Sequence, residues 1–189
     1  MTTIITLGIL ILLAGYGALI YNNLVALKHR VAKAWANIDI LLKQRHDELP
    51  KLVETCRQYM AYEQDTLARI IEARGSVSSA REARDIDALG RAETSLRAGL
   101  GQLFALAENY PELKANDAFQ HLQARISDLE NGIADRRELY NAAVNLNNVR
   151  IEQFPDLLVA RPLGFKSFEL LEFSAAELAD VNLGSLFRT

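Results

Sequence analysis

From Met1 to Leu27 no side chain is charged, and Lys28 is the first that is. Residues 4–21 are almost wholly apolar, and residues 22–27 extend them without charge. At about 1.5 Å rise per residue, roughly 20 apolar residues cross a hydrocarbon core about 30 Å thick. Ile4, Leu7, Ile11, Gly15 and Leu19 therefore read as positions of a transmembrane helix, with Tyr21 at the headgroup boundary, where an amphipathic ring is stable. A cleaved signal peptide wants a positive start, a shorter apolar stretch and a small-x-small cleavage site. The run lacks these features and reads as an uncleaved anchor. Lys28, Arg30, Lys33, Lys43 and Arg45 follow it against the single acid Asp39. Basic flanks stay inside, so the expected topology is single-pass in the plasma (inner) membrane, N-terminus outside and the remainder cytoplasmic.

Beyond the anchor the apolar period is helical throughout. Leu24, Leu27, Val31, Ala34, Ile38 and Leu41 form a seam that Trp35 and Leu42 widen, so the first helix is expected to leave the membrane unbroken. The seam is expected to end near Arg45 and His46. Asp47 would cap a new helix and Pro50 would sit in its first turn, where a missing N–H costs nothing. That favours a tight turn over a kink. The second helix is then expected over residues 48–74, with Leu52, Cys56, Tyr59, Leu67 and Ile70 inward and Glu63 either at the rim or in a polar layer. Gly75 would stop it, residues 76–79 would connect, and Ser79 would cap a third helix over residues 80–109. Ile86, Leu89, Leu96, Leu100 and Leu103 mark the stripe of that helix, and Gly90, Gly99 and Gly101 suggest close helix contact. Tyr110 and Pro111 end it. Asn116 caps a fourth helix reaching about residue 154, with a seam through Phe119, Leu122, Ile126, Leu129, Ile133, Tyr140, Val144, Ile151 and Phe154, in which Arg136 and Asn147 take polar places.

The expected fold is thus all-α: an N-terminal transmembrane helix continuing into an antiparallel, up-and-down four-helix bundle. The divisions are an anchor over residues 1–27, a bundle over 28–154 and a tail over 155–189. The tail crowds Leu157, Leu158, Leu163, Phe165, Phe168 and Phe173 around Arg161 and Lys166. It is too short and interrupted to span a membrane, and either packs back on the bundle or lies on the membrane surface.

Composition narrows the function. The chain has 189 residues, is 50% hydrophobic and carries a formal net charge of −3, a poor fit to a nucleic-acid binder. Its one cysteine, Cys56, permits no internal disulfide and reads as a small buried hydrophobe. A bundle can hold metals through Glu-x-x-His pairs, but this chain has none. Asp117 and His121 stand four apart and read as solvated surface groups rather than a metal pair. Tyr140 and Asn141 read as a buried hydrogen-bonding pair rather than a ligand site. No catalytic residue, metal ligand or cofactor site is assigned.

Four stretches resemble the LemA family. The first is Arg45-His46-Asp47-Glu48-Leu49-Pro50-Lys51-Leu52; the second runs from Glu108-Asn109-Tyr110-Pro111 to Asn116, then Phe119 and Leu122. The third is Ile133-Ala134, Arg137, Tyr140-Asn141 and Val144, followed by Phe154-Pro155; the fourth is Gly164-Phe165-Lys166. Asn147 departs from the family pattern, which usually has tyrosine there. The resemblance implies a single-pass, N-outside membrane protein with a cytoplasmic four-helix domain and no enzymatic activity. Because one branch of the family takes part in forming magnetosome membranes, it also implies a structural or membrane-organising role. The expected function is a non-catalytic membrane scaffold or adaptor that associates with itself, membrane lipid and, by family analogy, a TPM-domain type membrane protein. A transmembrane sensor signalling to a cytoplasmic partner is the alternative, and a cryptic metal enzyme a remote third.

Overall fold

Six helices account for most of the computed structural model, which describes residues 1–172, and no strand occurs among these residues. The helices are α1 (Thr2–Arg57), α2 (Gln64–Ala83), α3 (Ile86–Ala107), α4 (Pro111–Lys114), α5 (Asp117–Glu152) and α6 (Leu157–Ala160). Phe173, and the rest of the expected tail beyond it, lies outside the described residues. The chain forms two compact units. One comprises Met1–Ile38 with Ala134–Leu170; the other comprises Asp39–Ile133, which residues 171 and 172 join.

In the larger unit, the last turns of α1, then α2, α3 and the first turns of α5, run alternately up and down. As residue numbers fall along α1 they rise along α2: the His46 carbonyl meets Arg74, and Asp39 meets Arg81. The same reversal relates α1 to α5, where Arg45 meets Glu130 and Leu41 lies against Gly132. A two-residue turn closes the α2–α3 hairpin. Arg84 takes the left-handed conformation (φ 55°), and the N–H groups of Arg84 and Asp85 return to the carbonyls of Arg81 and Ala80. Asp85 then caps α3, its carboxylate accepting the Ala88 N–H at 2.8 Å.

Pro50 ends no helix. It sits inside α1, which continues to Arg57, and Asp47 is an exposed mid-helix residue rather than a cap. Two observations explain why. Leu49, Leu52, Val53 and Cys56 are all buried on one face beyond the expected break. At about 1.5–3 kcal/mol for each large apolar side chain, their burial outweighs the roughly 3 kcal/mol of an internal proline. Moreover, the carbonyl that proline leaves without its i+4 donor belongs to His46, and Arg74 Nε donates to it at 2.9 Å.

Gly75 likewise ends nothing. It is an exposed interior residue of α2, and residues 76–79 are helical rather than a connection. Val77 and Ala80 extend the buried stripe of Leu67, Ile70 and Ala73, which carries the helix past the glycine. The true α1–α2 connection is residues 58–63, held by buried Met60, whose N–H returns to the Cys56 carbonyl at 2.8 Å. Asn116 caps α5 as expected, accepting the Phe119 N–H at 3.0 Å.

In the smaller unit Ile20 and Leu24 of α1 pack with Ile151 of α5 and Ala160 of α6. The α5 seam passes from Ile133 through half-buried Arg137 to Tyr140, so Arg136, expected in the seam, is exposed. Phe154, expected to close the seam, is 75% exposed.

If Arg74 replaces the donor that Pro50 lacks, the two residues are energetically coupled. Arg74→Met should destabilise the chain by about 1–2 kcal/mol, as expected when a part-buried carbonyl loses a charged donor. In a Pro50→Ala background, where an amide N–H is restored, the same change should cost distinctly less. Denaturant titration of the four chains in detergent, combined as a double-mutant cycle, reads this coupling.

Candidate functional site

A layer of charge crosses the core of the larger unit. Arg45 lies in the α1 seam and Glu93 in the α3 stripe, each only 1% exposed. One Arg45 nitrogen, Nη2, pairs with Glu93, and Nη1 donates to Glu130 of α5 at 2.5 Å. Arg97, one turn along α3 from Glu93, approaches the other Glu130 oxygen at 3.3 Å. Two guanidinium groups thus balance two carboxylates. Burial works against the charge on Arg45, but the two carboxylates more than offset it, holding its guanidinium above its ordinary value. Burial pushes the Glu93 carboxyl up, against the pull of Arg45. Arg45 Nε and Glu93 Oε2 make no hydrogen bond in this layer.

His46, beside Arg45 in the motif, is half-buried. Burial first, and then the Arg74 charge, hold it below its usual value. Cys56 is fully buried and its thiol is pushed up to about 12 by burial, leaving no nucleophile at neutral pH. Asp117 and His121 are exposed at the start of α5. Among the described residues no three His, Cys, Asp or Glu side chains cluster as metal ligands do.

The second motif closes one end of this unit. Pro111 opens α4, and the Tyr110 hydroxyl donates to Glu63 at 3.4 Å. Asn116 reaches from its cap to the Tyr59 hydroxyl at 3.1 Å. Glu63, left open between rim and polar layer, is therefore a partner of this end cluster.

In the smaller unit the third and fourth motifs hold the tail. Residues 165–170 run without helix along α5, so their main-chain groups need partners from side chains. Asn148 supplies two: it donates to the Phe168 carbonyl at 2.9 Å and accepts the Phe168 N–H at 3.0 Å. Asn147 donates to the Lys166 carbonyl at 3.3 Å, and the Tyr140 hydroxyl to that of Glu169 at 3.0 Å. The Tyr140 ring meets Trp35 edge-on, centroids 5.8 Å apart. Asn147, polar in an apolar seam, is thereby accounted for. Of the two readings left open for the tail, this part packs back on the helices. Half-buried Asn141 follows Tyr140 on α5, and the Tyr140 hydroxyl is directed to Glu169. The Phe154–Pro155 bond is cis, and buried Asp156 just after it pairs with Arg150 at 3.0 Å.

The apolar run is a different kind of surface. Ile4, Leu7, Ile11 and Leu19 are 77%, 60%, 63% and 62% exposed, and Tyr21 is 44% exposed. Consecutive residues from Ile9 to Leu13 are exposed as well, so apolar side chains leave the helix on every side. A core helix of a soluble protein hides one such face.

Residues 34–183 match the family model of the LemA family. The chain belongs to the LemA family. Magnetosome protein MamQ 2 of Paramagnetospirillum magneticum is similar at 25% identity over 191 residues, covering 89% of this chain and 70% of that protein. Protein LemA of Metamycoplasma hominis is 26% identical over 170 residues, 87% of this chain and 74% of its own. Magnetosome protein MamQ of Magnetospirillum gryphiswaldense is 37% identical over 70 residues, 37% of this chain and 26% of its own. None of these bears the name of an enzyme. Family and exposed apolar helix together support membrane association.

Arg45 is legible as a motif residue but not as a buried ion, and no sequence motif marks its partners Glu93 and Glu130 or the Arg97 that pairs with Glu130. One signal was present: the α3 stripe skips from Leu89 to Leu96, and Glu93 fills the missing helical step.

Removing one side of a buried ion layer should cost far more than removing both. Arg45→Met is expected to destabilise by about 3–5 kcal/mol, and Arg45→Met with Glu93→Leu and Glu130→Gln to recover most of that loss. Denaturant midpoints of the detergent-solubilised chain measure both. The depressed His46 gives a second expectation. Unfolding restores an ordinary imidazole near 6.5, so the unfolded chain takes up a proton that the folded chain resists. That stability is present above pH 6.5 and is lost as the pH falls below it. His46→Gln should flatten the fall, measured as the difference between wild-type and variant stability from pH 7.5 to 5.

Proposed function

We propose that this LemA-family protein is a non-catalytic membrane scaffold or adaptor. Residues 1–27 hold it in the plasma (inner) membrane as a single pass, N-terminus outside, and the helical units stand in the cytoplasm. The carrying observation is the helix α1, whose first residues expose apolar side chains in all directions while its later residues pack into a core. Such a helix is stable only where its bare part has an apolar solvent. The exposed basic residues Lys28, Arg30 and Lys33 follow the run and favour the cytoplasmic side. The buried Arg45–Glu93 pair and the unreactive Cys56 favour a framework over a reaction centre. The relatives named as magnetosome proteins favour a structural role. Its partners are membrane lipid, a second copy and another membrane protein, of TPM-domain type by family analogy.

Thiol labelling tests this reading, because buried Cys56 stays silent. A membrane-impermeant maleimide should label Thr3→Cys on intact cells, and label Asp65→Cys only after permeabilisation. The reverse pattern overturns the topology. A strictly monomeric chain in mild detergent, with no partner recovered from cross-linked cells, overturns the scaffold.

A further inference from the structure

The smaller unit has a built groove at the depth where its helix would leave the hydrocarbon. Ile20 and Leu24 pack on Ile151 and Ala160, and the Tyr21 ring meets Phe165 edge-on, centroids 6.0 Å apart and planes at 75°. The connection from α5 through α6 to Phe165 is thereby fixed level with residues 20–24. The apolar run ends at Tyr21, and residues 21–28 rise about 10 Å beyond it, enough to cross a headgroup layer. At this level the connection exposes Phe154, Leu158 and Leu163, which are 75%, 64% and 57% accessible.

Between this part of α1 and residues 163–168 lies a groove of about 530 Å³. Tyr21, Val25 and Phe165 give it apolar wall. Lys28, His29 and Lys166 give it basic wall, and among the described residues no carboxylate lines it. Lys166 is placed by construction: its carbonyl is held by Asn147, the neighbouring Phe168 is clasped by Asn148, and Gly164 makes the turn before it at φ 72°. Glycine reaches that φ at no steric cost.

We propose that this groove seats the headgroup phosphate of an anionic phospholipid. Lys28 and Lys166 meet the phosphate, and Phe154, Leu158 and Leu163 lie among the upper acyl carbons. The proposal rests on the anchoring reading above. A bilayer surface is the occupant that accounts for both halves of the pattern, since cationic groups and bare apolar side chains at one depth are what an anionic interface binds. The continuity of the groove with the membrane-spanning run sets the depth.

Native mass spectrometry of the full chain in detergent tests it, with phosphatidylglycerol and phosphatidylcholine as probes. The wild type should retain phosphatidylglycerol over phosphatidylcholine. Lys28→Gln with Lys166→Gln, both at exposed side chains, should weaken phosphatidylglycerol by about fivefold per lysine and leave phosphatidylcholine unchanged. Leu158→Ser with Leu163→Ser should weaken both lipids alike. Equal phosphatidylglycerol retention by wild type and the lysine variant, with unchanged thermal melts, overturns the site. So does displacement of the lipid by millimolar inorganic phosphate, which would mark a free-phosphate site. Carbonate extraction of cell membranes reads the anchor separately. A wild-type chain released by carbonate sinks anchor and site together, whereas one that stays in the membrane without lipid preference sinks the site alone.

Discussion

A backbone carbonyl without a donor is the constraint on which α1 depends, and α1 is the helix that α2, α3 and α5 meet. In an apolar solvent only a helix satisfies every main-chain group from within, which forces the uncharged run into one. At Pro50 the same constraint returns in a packed core. The His46 carbonyl loses its amide donor, and α1 survives because the Arg74 guanidinium on the neighbouring helix takes the amide's place. The sequence separation between the two is large, so the repair exists only once α2 has folded back along α1.

The ion layer makes a comparable demand on several helices at once. Arg45, Glu93 and Glu130 come from α1, α3 and α5, and each is tolerable in the core only if the other two are in register. Apolar stripes permit sliding by a turn at modest cost, whereas a displaced buried charge costs several kcal/mol. The layer therefore selects one alignment among several that the apolar seams allow. In the smaller unit, Asn147, Asn148 and Tyr140 set the register of the tail by a neutral version of the same rule, with side chains completing the hydrogen bonds of an extended segment.

The two misplaced helix ends share one cause. Pro50 and Gly75 read as punctuation because local propensity disfavours both in a helix by about 3 and 1 kcal/mol. In each case buried side chains on the far side, Leu52 and Cys56 or Val77 and Ala80, outweigh that penalty. The breaks fall instead at residues 58–63 and at Arg84–Asp85, where no proline or glycine stands. Arg136 reads as a seam residue, but the helical step passes through half-buried Arg137. Three of the chain's glycines show how little the residue type alone conveys. A side chain at Gly90 would strike the Glu172 carbonyl and one at Gly99 would press on Ile70 at 3.3 Å, while Gly101 faces open space.

By itself the sequence determined the all-α class, the apolar first helix, the seams of α1 and α5, the Asn116 cap and the family. These depend on periodicity, length and short-range hydrogen bonds, which are properties of neighbours along the chain. Only the tertiary structure decided that Pro50 is spanned, that Arg45 is a buried ion rather than a flanking charge, and that part of the tail is strapped to α5. Each of those outcomes turns on a partner many residues away: Arg74 for His46, Glu93 for Arg45, Phe168 for Asn148. The energy of a polar group depends on whether that partner arrives, and arrival is decided by the packing of whole helices.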